Sequence, residues 1–384
     1  MKFLVLGAGM MGRAIAYDLS KHLKFDNIEV ADKEKKTIQS TKKFLEKKEI
    51  NFHTLNIEKT NDVKKNFQNY DIAISAVPYK FNYNLAKIAI ETKTHFLDLG
   101  GNNDIVKRER SLFENARKQD VIVIPDCGLA PGLTSVITKD IVEQMDYIDF
   151  VKIRVGGLPI HPRPPLNYQI VFSPYGLINE YVEDAIVLDH RRIIKKKPMA
   201  DLEKIMFPKP FGEMEAFLTS GGCSTLPYTY KNKINYLDYK TIRYPGHCEK
   251  FKTILDLGLM EEREIKIGNQ LVVPRDLLAT ILINNLPCNE KDVVLLKVTS
   301  EGMKDGKKIC LEYTMIDYYD EEKDITSMMR TTGYSVSIIA QMIKRGVIKE
   351  RGVFCPEEII PCTSFFDELK KRDIIIETQH KYLK

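Results

Sequence analysis

A glycine-rich loop near the start of the chain constrains the fold more than any other feature of the sequence. The loop reads GAGMMG and lies between an apolar, strand-like segment at 2–6 and a helix-like segment at 13–22. The first glycine allows a tight turn, the second lets backbone approach a pyrophosphate, and the third lets a helix pack closely on a strand. This pattern predicts a Rossmann dinucleotide site. The residues assigned to the cofactor are Gly7, Gly9, Met10, Met11 and Gly12.

An acidic residue follows at the spacing that such a fold requires. Asp32 ends a second strand-like segment, Ile28 to Ala31, twenty residues after Gly12. A carboxylate at this place accepts hydrogen bonds from the adenosine ribose hydroxyls and repels a 2'-phosphate, which favours NAD over NADP. Lysines at 33, 35 and 36 keep NADP as the less favoured alternative, because a lysine binds phosphate as a point charge.

Strand-like and helix-like segments then alternate strictly as far as residue 125. Further strands are predicted at 51–55, 72–77, 95–99 and 121–125, and helices at 35–48, 61–67, 83–92 and 106–119. Parallel neighbours need crossover helices, so the alternation predicts an α/β fold with a doubly wound parallel sheet of six strands.

Candidate ligand-binding residues lie at the ends of three of these strands. Ala76, Val77 and Pro78 end the fourth strand and would lie over the cofactor, unless they form an ordinary turn. Asp98 and Asp126 begin glycine-rich turns after the next two strands, at the edge where open α/β sheets bind ligands. Turns also prefer Gly, Asn and Asp for backbone reasons alone. Each of the two acids therefore either contacts a ligand or serves only to form its turn.

The composition changes after residue 131. Pro, Gly and Tyr become frequent, and strand-like runs at 150–155, 168–172, 293–299 and 309–316 predict a mixed or antiparallel sheet. A helix from Gly333 to Val347 has one apolar stripe and is expected to pack back on the first domain. The predicted domains are a Rossmann domain at 1–131, an inserted mixed-sheet α/β domain at 132–328 for substrate and oligomerisation, and a C-terminal segment at 329–384 that returns to the Rossmann domain.

Two turn-rich stretches of the second domain, 220–228 and 241–250, concentrate polar groups. Arg243 can hold a carboxylate with paired hydrogen bonds, and His247 has an unperturbed pKa near neutrality. Both residues also have purely structural interpretations. Arg243 would belong to an Arg-Tyr-Pro turn at a domain interface, and His247 would make its hydrogen bonds to backbone atoms.

Charge and cysteine content narrow the classes of partner. The 58 basic and 53 acidic residues give a net charge of +5, too even a mixture for a nucleic-acid surface. None of the seven cysteines form a pair spaced as in a zinc knuckle, so no metal is predicted. The sequence shows no secretory apolar region and no run long enough to span a membrane. We therefore expect a cytoplasmic protein with free thiols that acts on a small molecule.

Seven motifs are informative when taken together: GAGMMG, SAVP, DLGGNND, PDCGLAPGLTSV, FSPYGLINEY, GGCSTLPYTY and KTIRYPGHCEKF. With these motifs the sequence resembles the saccharopine dehydrogenase family over nearly all of the chain. The last two motifs are most similar to the lysine 6-dehydrogenases of the family. The resemblance implies NAD-dependent oxidation of the ε-amine of L-lysine to 2-aminoadipate 6-semialdehyde, which cyclises to a piperideine carboxylate, with release of ammonia. It also implies a homodimer or a larger homo-oligomer.

This reaction, and the resemblance behind it, assign roles to the polar residues. Asp126 or Asp98 would stabilise the reacting ammonium or iminium, His247 would act as general base, and Arg243 would hold the substrate carboxylate. The other substrate-binding candidates are Tyr175, Glu180, Tyr181, Thr225 and Tyr228. Asn56 is a further cofactor candidate, although the family more often places an Asp-bearing turn there, near the adenine.

Two other functions fit the same residues. A saccharopine-type or carboxyspermidine-type dehydrogenase acts on a secondary amine between two carboxylate-bearing halves. It therefore needs a second basic side chain to bind the second carboxylate, and Arg154, Arg163 or Arg191 is available for this. A protein that senses the dinucleotide without turnover is the other alternative, because a fold does not guarantee a function.

Overall fold

The chain forms two units, which a computed structural model describes over residues 1–23, 27–45, 49–288 and 290–383. The first unit comprises Met1–Asp140 and Met329–Ile374, and the second comprises Ile141–Met328 and Ile375–Lys384. The chain therefore leaves the first unit near residue 140 and returns to it near residue 329.

Alternating strands and helices make up the first part of the chain, as the sequence predicts. The strands are β1 (Lys2–Leu6), β2 (Asn27–Asp32), β3 (Asn51–Thr54), β4 (Ile72–Ser75), β5 (His95–Asp98) and β6 (Ile122–Ile124). The helices are α1 (Met10–His22), α2 (Lys35–Phe44), α3 (Thr60–Phe67), α4 (Asn82–Thr92), α5 (Asn103–Arg110), α6 (Phe113–Lys118) and α7 (Leu133–Gln144), with a 3-10 turn at Tyr79–Phe81.

Two helix predictions in this part need comment. The single helix predicted at 106–119 is wrong, because the chain leaves the helical path at Ser111 and Leu112, between α5 and α6. The Ser111 hydroxyl donates a hydrogen bond to the Arg108 carbonyl at 2.6 Å, which favours a turn at this point. The end predicted for α2, at residue 48, lies outside the described residues.

Long strands dominate the middle of the chain. They are β7 (Tyr147–Pro159), β8 (Ala185–Asp189), β9 (Arg192–Lys196), β10 (Glu203–Phe207), β11 (Gly212–Leu218), β12 (Ile234–Arg243), β13 (Ile265–Ile267), β14 (Gln270–Val272), β15 (Asp292–Lys304) and β16 (Lys307–Tyr318). The helices between them are α8 (Pro174–Val182), α9 (Leu226–Tyr230), α10 (His247–Asp256) and α11 (Pro274–Asn285). The last part of the chain forms α12 (Ser327–Lys344), β17 (Gly352–Val353), α13 (Pro356–Ile359), α14 (Cys362–Lys370) and β18 (Glu377–Tyr382).

The sheet of the first unit runs in the order β17-β6-β5-β4-β1-β2-β3, and every pair in it is parallel. The predicted doubly wound parallel sheet is confirmed, with one strand more than the six expected. Strand β17 is only two residues long, too short for any periodic pattern in the sequence to reveal it. The strand order reverses between β1 and β4, and such a switch point is where open α/β sheets bind ligands.

The second unit contains a mixed sheet, in the order β10-β11-β12-β7-β15-β16-β18, with β8 attached to β12 and β9 to β8. Strands β12 and β7 are parallel, whereas the other pairs are antiparallel. This confirms the mixed-sheet prediction. Helices α8, α10 and α11 supply buried side chains to an apolar core that also includes Phe217 of β11.

The strand predicted at 168–172 is wrong. The segment belongs to no strand, and its one bridge joins Ile170 to Cys288. Prolines at 164, 165 and 174 surround it, and a proline cannot donate a ladder hydrogen bond. The apolar alternation of Tyr168 to Phe172 instead serves the core of the second unit, where Tyr168 is almost completely buried.

None of the helices in the described ranges has both the length and the apolar character that crossing a membrane requires.

Candidate functional site

The glycine-rich loop joins β1 to α1 and has the geometry that its sequence predicts. Gly7 has φ +95° and its N–H donates to the Ala31 carbonyl at 2.8 Å. A side chain at Gly12 would overlap the Gly7 carbonyl, whereas one at Gly9 would meet nothing within 4 Å. Helix α1 has no side-chain cap and no acidic residue in its first turn. Its N-terminal N–H groups are therefore suited to a phosphate, and the loop fits a dinucleotide.

Asp32 links this loop to the end of β2. Its carboxylate accepts the Ala8 N–H at 2.8 Å through one oxygen and the Glu34 N–H at 2.8 Å through the other. The next strand comes close as well, because the Leu55 N–H donates to the Asp32 carbonyl at 3.0 Å. Asn56 follows directly, and its side chain accepts the Glu58 N–H at 3.0 Å.

The turn after β4 lies against the same loop. The Ala76 N–H donates to the Leu6 carbonyl at 2.8 Å, and a side chain at Gly7 would come within 2.7 Å of the Ala76 carbonyl. Val77 is half-buried there, while Pro78 is exposed. Met10 and Met11 open helix α1, both half-buried. The first unit therefore brings the predicted cofactor residues together, although their contacts with a cofactor remain predictions.

Asp98 and Asp126 also come together, at the carboxyl ends of the neighbouring strands β5 and β6. Both side chains are buried, and Asp98 accepts the Gly100 N–H at 2.7 Å. The Asp126 N–H points at the same Asp98 oxygen, at a longer 3.5 Å. Gly100 has φ +73°, and a side chain there would collide with the Asp126 carboxylate. Only glycine allows these two acids to approach so closely.

A third acid, Glu109 of α5, completes this cluster and was not predicted. Its side chain is 0% exposed, and neither carboxylate oxygen meets a hydrogen-bond donor among the described residues. Burial, together with Asp98 and Asp126, raises the pKa of Glu109 far above its usual range, and burial also raises the pKa of Asp98. Carboxyls that are buried together disfavour one another's ionisation, so the protonated form of Glu109 is favoured.

Arg243 is the main charged group of the buried site in the second unit. It ends β12, is 2% exposed, and makes no ion pair with any carboxylate of the described chain. Its Nε–H donates to the Tyr181 hydroxyl at 2.9 Å and its Nη1 to the Ile242 carbonyl at 2.9 Å. The guanidinium also lies 4.9 Å from the centre of the Tyr168 ring. A buried cation without a carboxylate is prepared for an anionic ligand.

Tyr181 and His247 continue from Arg243 into the core. The Tyr181 hydroxyl lies 3.0 Å from Nε2 of His247, and Nδ1 of His247 lies 2.9 Å from the Leu166 carbonyl. Burial and the Arg243 charge lower the pKa of His247 to about 3, so the imidazole is neutral. Both ring nitrogens already have partners within the second unit. The prediction of a general base at His247 stays untested.

Glu180 of α8 is the acid that accompanies Arg243. Its carboxyl is half-buried and has no hydrogen-bond partner in the part of the chain that the structure describes. Burial raises the pKa of Glu180 to about 7, while the charge of Arg243 opposes this rise and that of Glu183 adds to it. Near neutral pH the carboxyl is therefore poised between its two forms, and it favours ionisation when a cation binds.

The remaining substrate candidates are spread over the second unit. Tyr175 is 45% exposed and its hydroxyl donates to Asp276 at 3.0 Å, while Tyr228 is 54% exposed on α9. Thr225 caps α9, where its carbonyl accepts the Tyr228 N–H at 2.9 Å. Their contact with a substrate stays a prediction.

Two residues of these sites escaped prediction for identifiable reasons. Tyr168 was assigned to a strand, and nothing in its neighbourhood indicates that it faces an arginine. Glu109 lies in the charged run VKRER, which is typical of a solvated helix face. Its spacing of three residues from the buried Val106 is the signal that could have found it, because it places an acid on the apolar side of α5.

The fold and these residues define the class of two-domain dehydrogenases with a Rossmann cofactor domain. The chain belongs to the saccharopine dehydrogenase family, whose NADP binding domain matches residues 3–124 and whose C-terminal domain matches residues 128–375. This confirms the resemblance seen in the sequence.

Curated relatives are distant in sequence. The chain is 22% identical to the mitochondrial alpha-aminoadipic semialdehyde synthase of Rattus norvegicus, over 98% of this chain and 48% of the rat protein, so it spans about half the length of that relative. It is 22% identical to the saccharopine dehydrogenase [NADP(+), L-glutamate-forming] of Schizosaccharomyces pombe, over 98% of both chains. It is 21% identical to the carboxyaminopropylagmatine dehydrogenase of Synechocystis, over 94% of this chain and 93% of that protein.

Solved structures share the fold. The apo saccharopine dehydrogenase (L-Glu forming) of Saccharomyces cerevisiae superposes with a TM-score of 0.80 at 20% identity, over 99% of each chain. The homospermidine synthase of Legionella pneumophila, solved in complex with NAD, superposes with a TM-score of 0.66 at 14% identity, over 99% of this chain and 91% of that one. At these identities the likeness extends to the fold alone.

Proposed function

We propose that this protein oxidises the ε-amine of L-lysine with NAD. The reaction converts lysine, NAD⁺ and water into 2-aminoadipate 6-semialdehyde, ammonium, NADH and a proton, and the semialdehyde cyclises to piperideine-6-carboxylate. The observation that carries the proposal is Arg243, a buried cation that makes no ion pair with a carboxylate among the described residues. The α-carboxylate of an amino acid supplies the missing charge and can accept two parallel N–H bonds.

Glu180 supports an amino acid rather than a simple carboxylic acid. A half-buried carboxyl near Arg243, with a pKa raised to about 7, ionises when an α-ammonium group arrives. Arg243 and Glu180 together match the two charges of the zwitterion and leave the side-chain amine to react.

Asp98 and Asp126 are the residues proposed to handle the reacting amine. A carboxylate beside it stabilises either the ammonium or the developing iminium, and can accept the proton that the amine must lose before oxidation. Glu109 tunes this pair, because carboxyls that are buried together disfavour one another's ionisation.

Bound at the glycine loop, the dinucleotide would accept the hydride that leaves the amine-bearing carbon. Asp32 supports NAD, because a carboxylate at the end of β2 repels a 2'-phosphate. The NADP-binding name of the matching family domain supports NADP instead, and the adjacent Lys33 could hold its phosphate. We propose NAD as the preferred cofactor on the strength of Asp32.

A second candidate function has its own support. The names of the relatives include saccharopine and carboxyaminopropylagmatine dehydrogenases, which favours a secondary amine as substrate. A saccharopine-type substrate carries a carboxylate on both halves. Such a substrate needs a second free cation. Arg154 is instead held by both Asp238 oxygens, at 2.8 and 3.0 Å, and by Glu203. Arg163 pairs with Glu290 at 3.1 Å, and Arg191 lies over the Tyr147 ring at 5.6 Å. These contacts favour lysine over a secondary amine that carries a carboxylate on both halves.

The test measures absorbance at the nicotinamide band while L-lysine is mixed with purified protein and either NAD or NADP, with ammonia assayed in parallel. We expect NADH and ammonia to form in equal amounts without 2-oxoglutarate. Turnover that appears only when an amine is combined with a 2-oxo acid and NAD(P)H would show the secondary-amine function. Tight NADH binding without any turnover across amino acids and polyamines would show a dinucleotide sensor.

We also propose that the protein acts in the cytoplasm as a homodimer or larger homo-oligomer. None of the seven cysteines, all within the described residues, forms a disulfide, which fits a reducing compartment. Light scattering during size-exclusion chromatography measures the assembly, and a monomeric mass at micromolar concentration would contradict it.

A further inference from the structure

Arg243 can hold a carboxylate only if its planar guanidinium has a fixed orientation, because two parallel hydrogen bonds require alignment. The protein uses one Nη1 hydrogen for the Ile242 carbonyl and the Nε hydrogen for Tyr181. The remaining N–H groups have no hydrogen-bond partner in the described ranges. What fixes the plane of the guanidinium therefore also fixes the direction in which its free donors point.

The hydrogen bonds around Tyr181 can run in one direction only. A tyrosine hydroxyl has one proton, and its oxygen accepts the Arg243 Nε–H at 2.9 Å, so its own proton must go to another acceptor. That acceptor is Nε2 of His247, 3.0 Å away. His247 has a free lone pair at Nε2 because its single proton is on Nδ1, where the Leu166 carbonyl can only accept it, at 2.9 Å.

Packing holds this series of bonds still. Tyr181 is 0% exposed and His247 is 1% exposed. The His247 ring stacks on Phe251, with ring centres 4.6 Å apart, and Tyr181 meets the same Phe251 edge to face at 5.0 Å. An imidazolium would reverse the bond to Tyr181 and would repel Arg243, so the neutral ring is the form that keeps the series intact.

We infer that Tyr181 and His247 are positioning residues that orient Arg243 toward the substrate carboxylate. In this inference His247 neither accepts nor donates a proton during the reaction. This inference rests on the proposed role of Arg243 in binding an amino acid. It replaces the general base expected at His247 with a fixed acceptor that is two hydrogen bonds away from Arg243.

The kinetic test compares L-lysine with cadaverine, which has the same reacting amine but no carboxylate. In Tyr181→Phe and His247→Ala, we expect the KM for lysine to rise about 10- to 100-fold, as the loss of one buried hydrogen bond in the series predicts, with kcat and the KM for NAD changed less than about threefold. The preference for lysine over cadaverine should fall by the same factor. His247→Gln keeps an acceptor near the position of Nε2 and should restore most of the preference.

The pH profile separates positioning from proton transfer. We expect the acid limb of kcat against pH to keep its midpoint in His247→Gln. A kcat lowered a thousandfold in both His247→Ala and His247→Gln, with an unchanged lysine KM and a lost acid limb, would overturn the inference and make His247 the base. Tyr181→Phe removes a single oxygen, so it tests the series even if His247→Ala does not fold.

A measurement without turnover distinguishes failure of this inference from failure of the proposed function. Nitrogen NMR of protein labelled at its histidines, with His247→Gln used for assignment, reports which ring nitrogen carries the proton. We expect His247 to be neutral with its proton on Nδ1 at pH 6. An imidazolium, or a proton on Nε2, would overturn the series even in an active lysine dehydrogenase. The expected tautomer in a protein that ignores lysine would support the series and reject the substrate.

Discussion

Arg243 shows how a single residue can indicate a ligand. Taking a charge out of water costs about several kcal/mol. Folding buries the Arg243 guanidinium without an ion pair to a carboxylate of the described chain. The Tyr168 ring and the Tyr181 hydroxyl offset part of that cost. A substrate carboxylate would offset more, which is why binding should depend so strongly on this group.

At the same scale, Glu180 gives a prediction about pH. Its pKa is raised to about 7, and only the ionised form attracts an α-ammonium, so affinity should improve as pH rises through 7. We expect the KM for lysine to fall about tenfold between pH 6 and pH 8, as the ionised fraction of such a group grows. In Glu180→Gln the KM should stay high and nearly independent of pH over that range. Initial rates at saturating NAD measure this.

Glu183 offers a matched control for that experiment. Its charge raises the pKa of Glu180, so Glu183→Gln removes the same charge but should only move the midpoint to lower pH. If Glu180→Gln keeps the wild-type dependence of KM on pH, the α-ammonium is held elsewhere.

Some of these residues were predictable and others were not. Asp32, Asp98 and Asp126 follow strands whose ends define the ligand edge of a parallel sheet, so position in the sequence is enough to nominate them. Tyr168 and Glu109 depend on tertiary contacts. Their spacing along the chain says little about an arginine or an acid more than ten residues away.

At the scale of elements, helix α1 and its loop show which glycines serve folding and which serve the ligand. A side chain at Gly12 would overlap the Gly7 carbonyl, and two backbone segments cannot move apart cheaply. A side chain at Gly9 meets open space at a backbone conformation with φ −73°, which any residue adopts. The two positions therefore make a matched pair for mutation.

We expect Gly12→Ala to lose at least about 3 kcal/mol of unfolding free energy through overpacking. Gly9→Ala should keep the wild-type melting temperature within a degree or two yet bind NADH at least about tenfold more weakly, because the methyl group occupies the approach to the pyrophosphate. Thermal unfolding and NADH fluorescence titration measure the two effects. Normal NADH binding by a stable Gly9→Ala protein would place the pyrophosphate away from this loop.

Strands and helices were predicted correctly where the sequence shows a periodic apolar pattern and the lengths of the connections fit crossover helices between parallel strands. Six strands of the first unit were found because crossover helices of ordinary length separate them. Strand β17 was missed because two residues show no period, and the run at 168–172 misled because apolar alternation also occurs in a buried coil between prolines. The break between α5 and α6 depends on a local serine hydrogen bond that competes with the helix.

At the scale of the whole molecule, the candidate residues belong to two units, and the chain forms the first unit in two separate stretches. The first unit carries the glycine loop, Asp32 and the acid cluster, and the second carries Arg243 and Glu180. The change in composition after residue 131 and the return of a helical pattern near residue 333 led to the prediction of an inserted domain at 132–328. The sequence alone leaves the substrate open between lysine and a saccharopine-type secondary amine, because the two differ by one binding site for a carboxylate.

The most direct test of the central claim is the fate of each nitrogen of lysine. Protein and NAD are incubated separately with L-lysine labelled with ¹⁵N at the ε position or at the α position, and the released ammonia is analysed by mass spectrometry. If Arg243 and Glu180 hold the α-amino acid end as proposed, all labelled ammonia comes from the ε position, in an amount equal to the NADH formed. Labelled ammonia from the α position, or NADH formed without ammonia, would contradict the account.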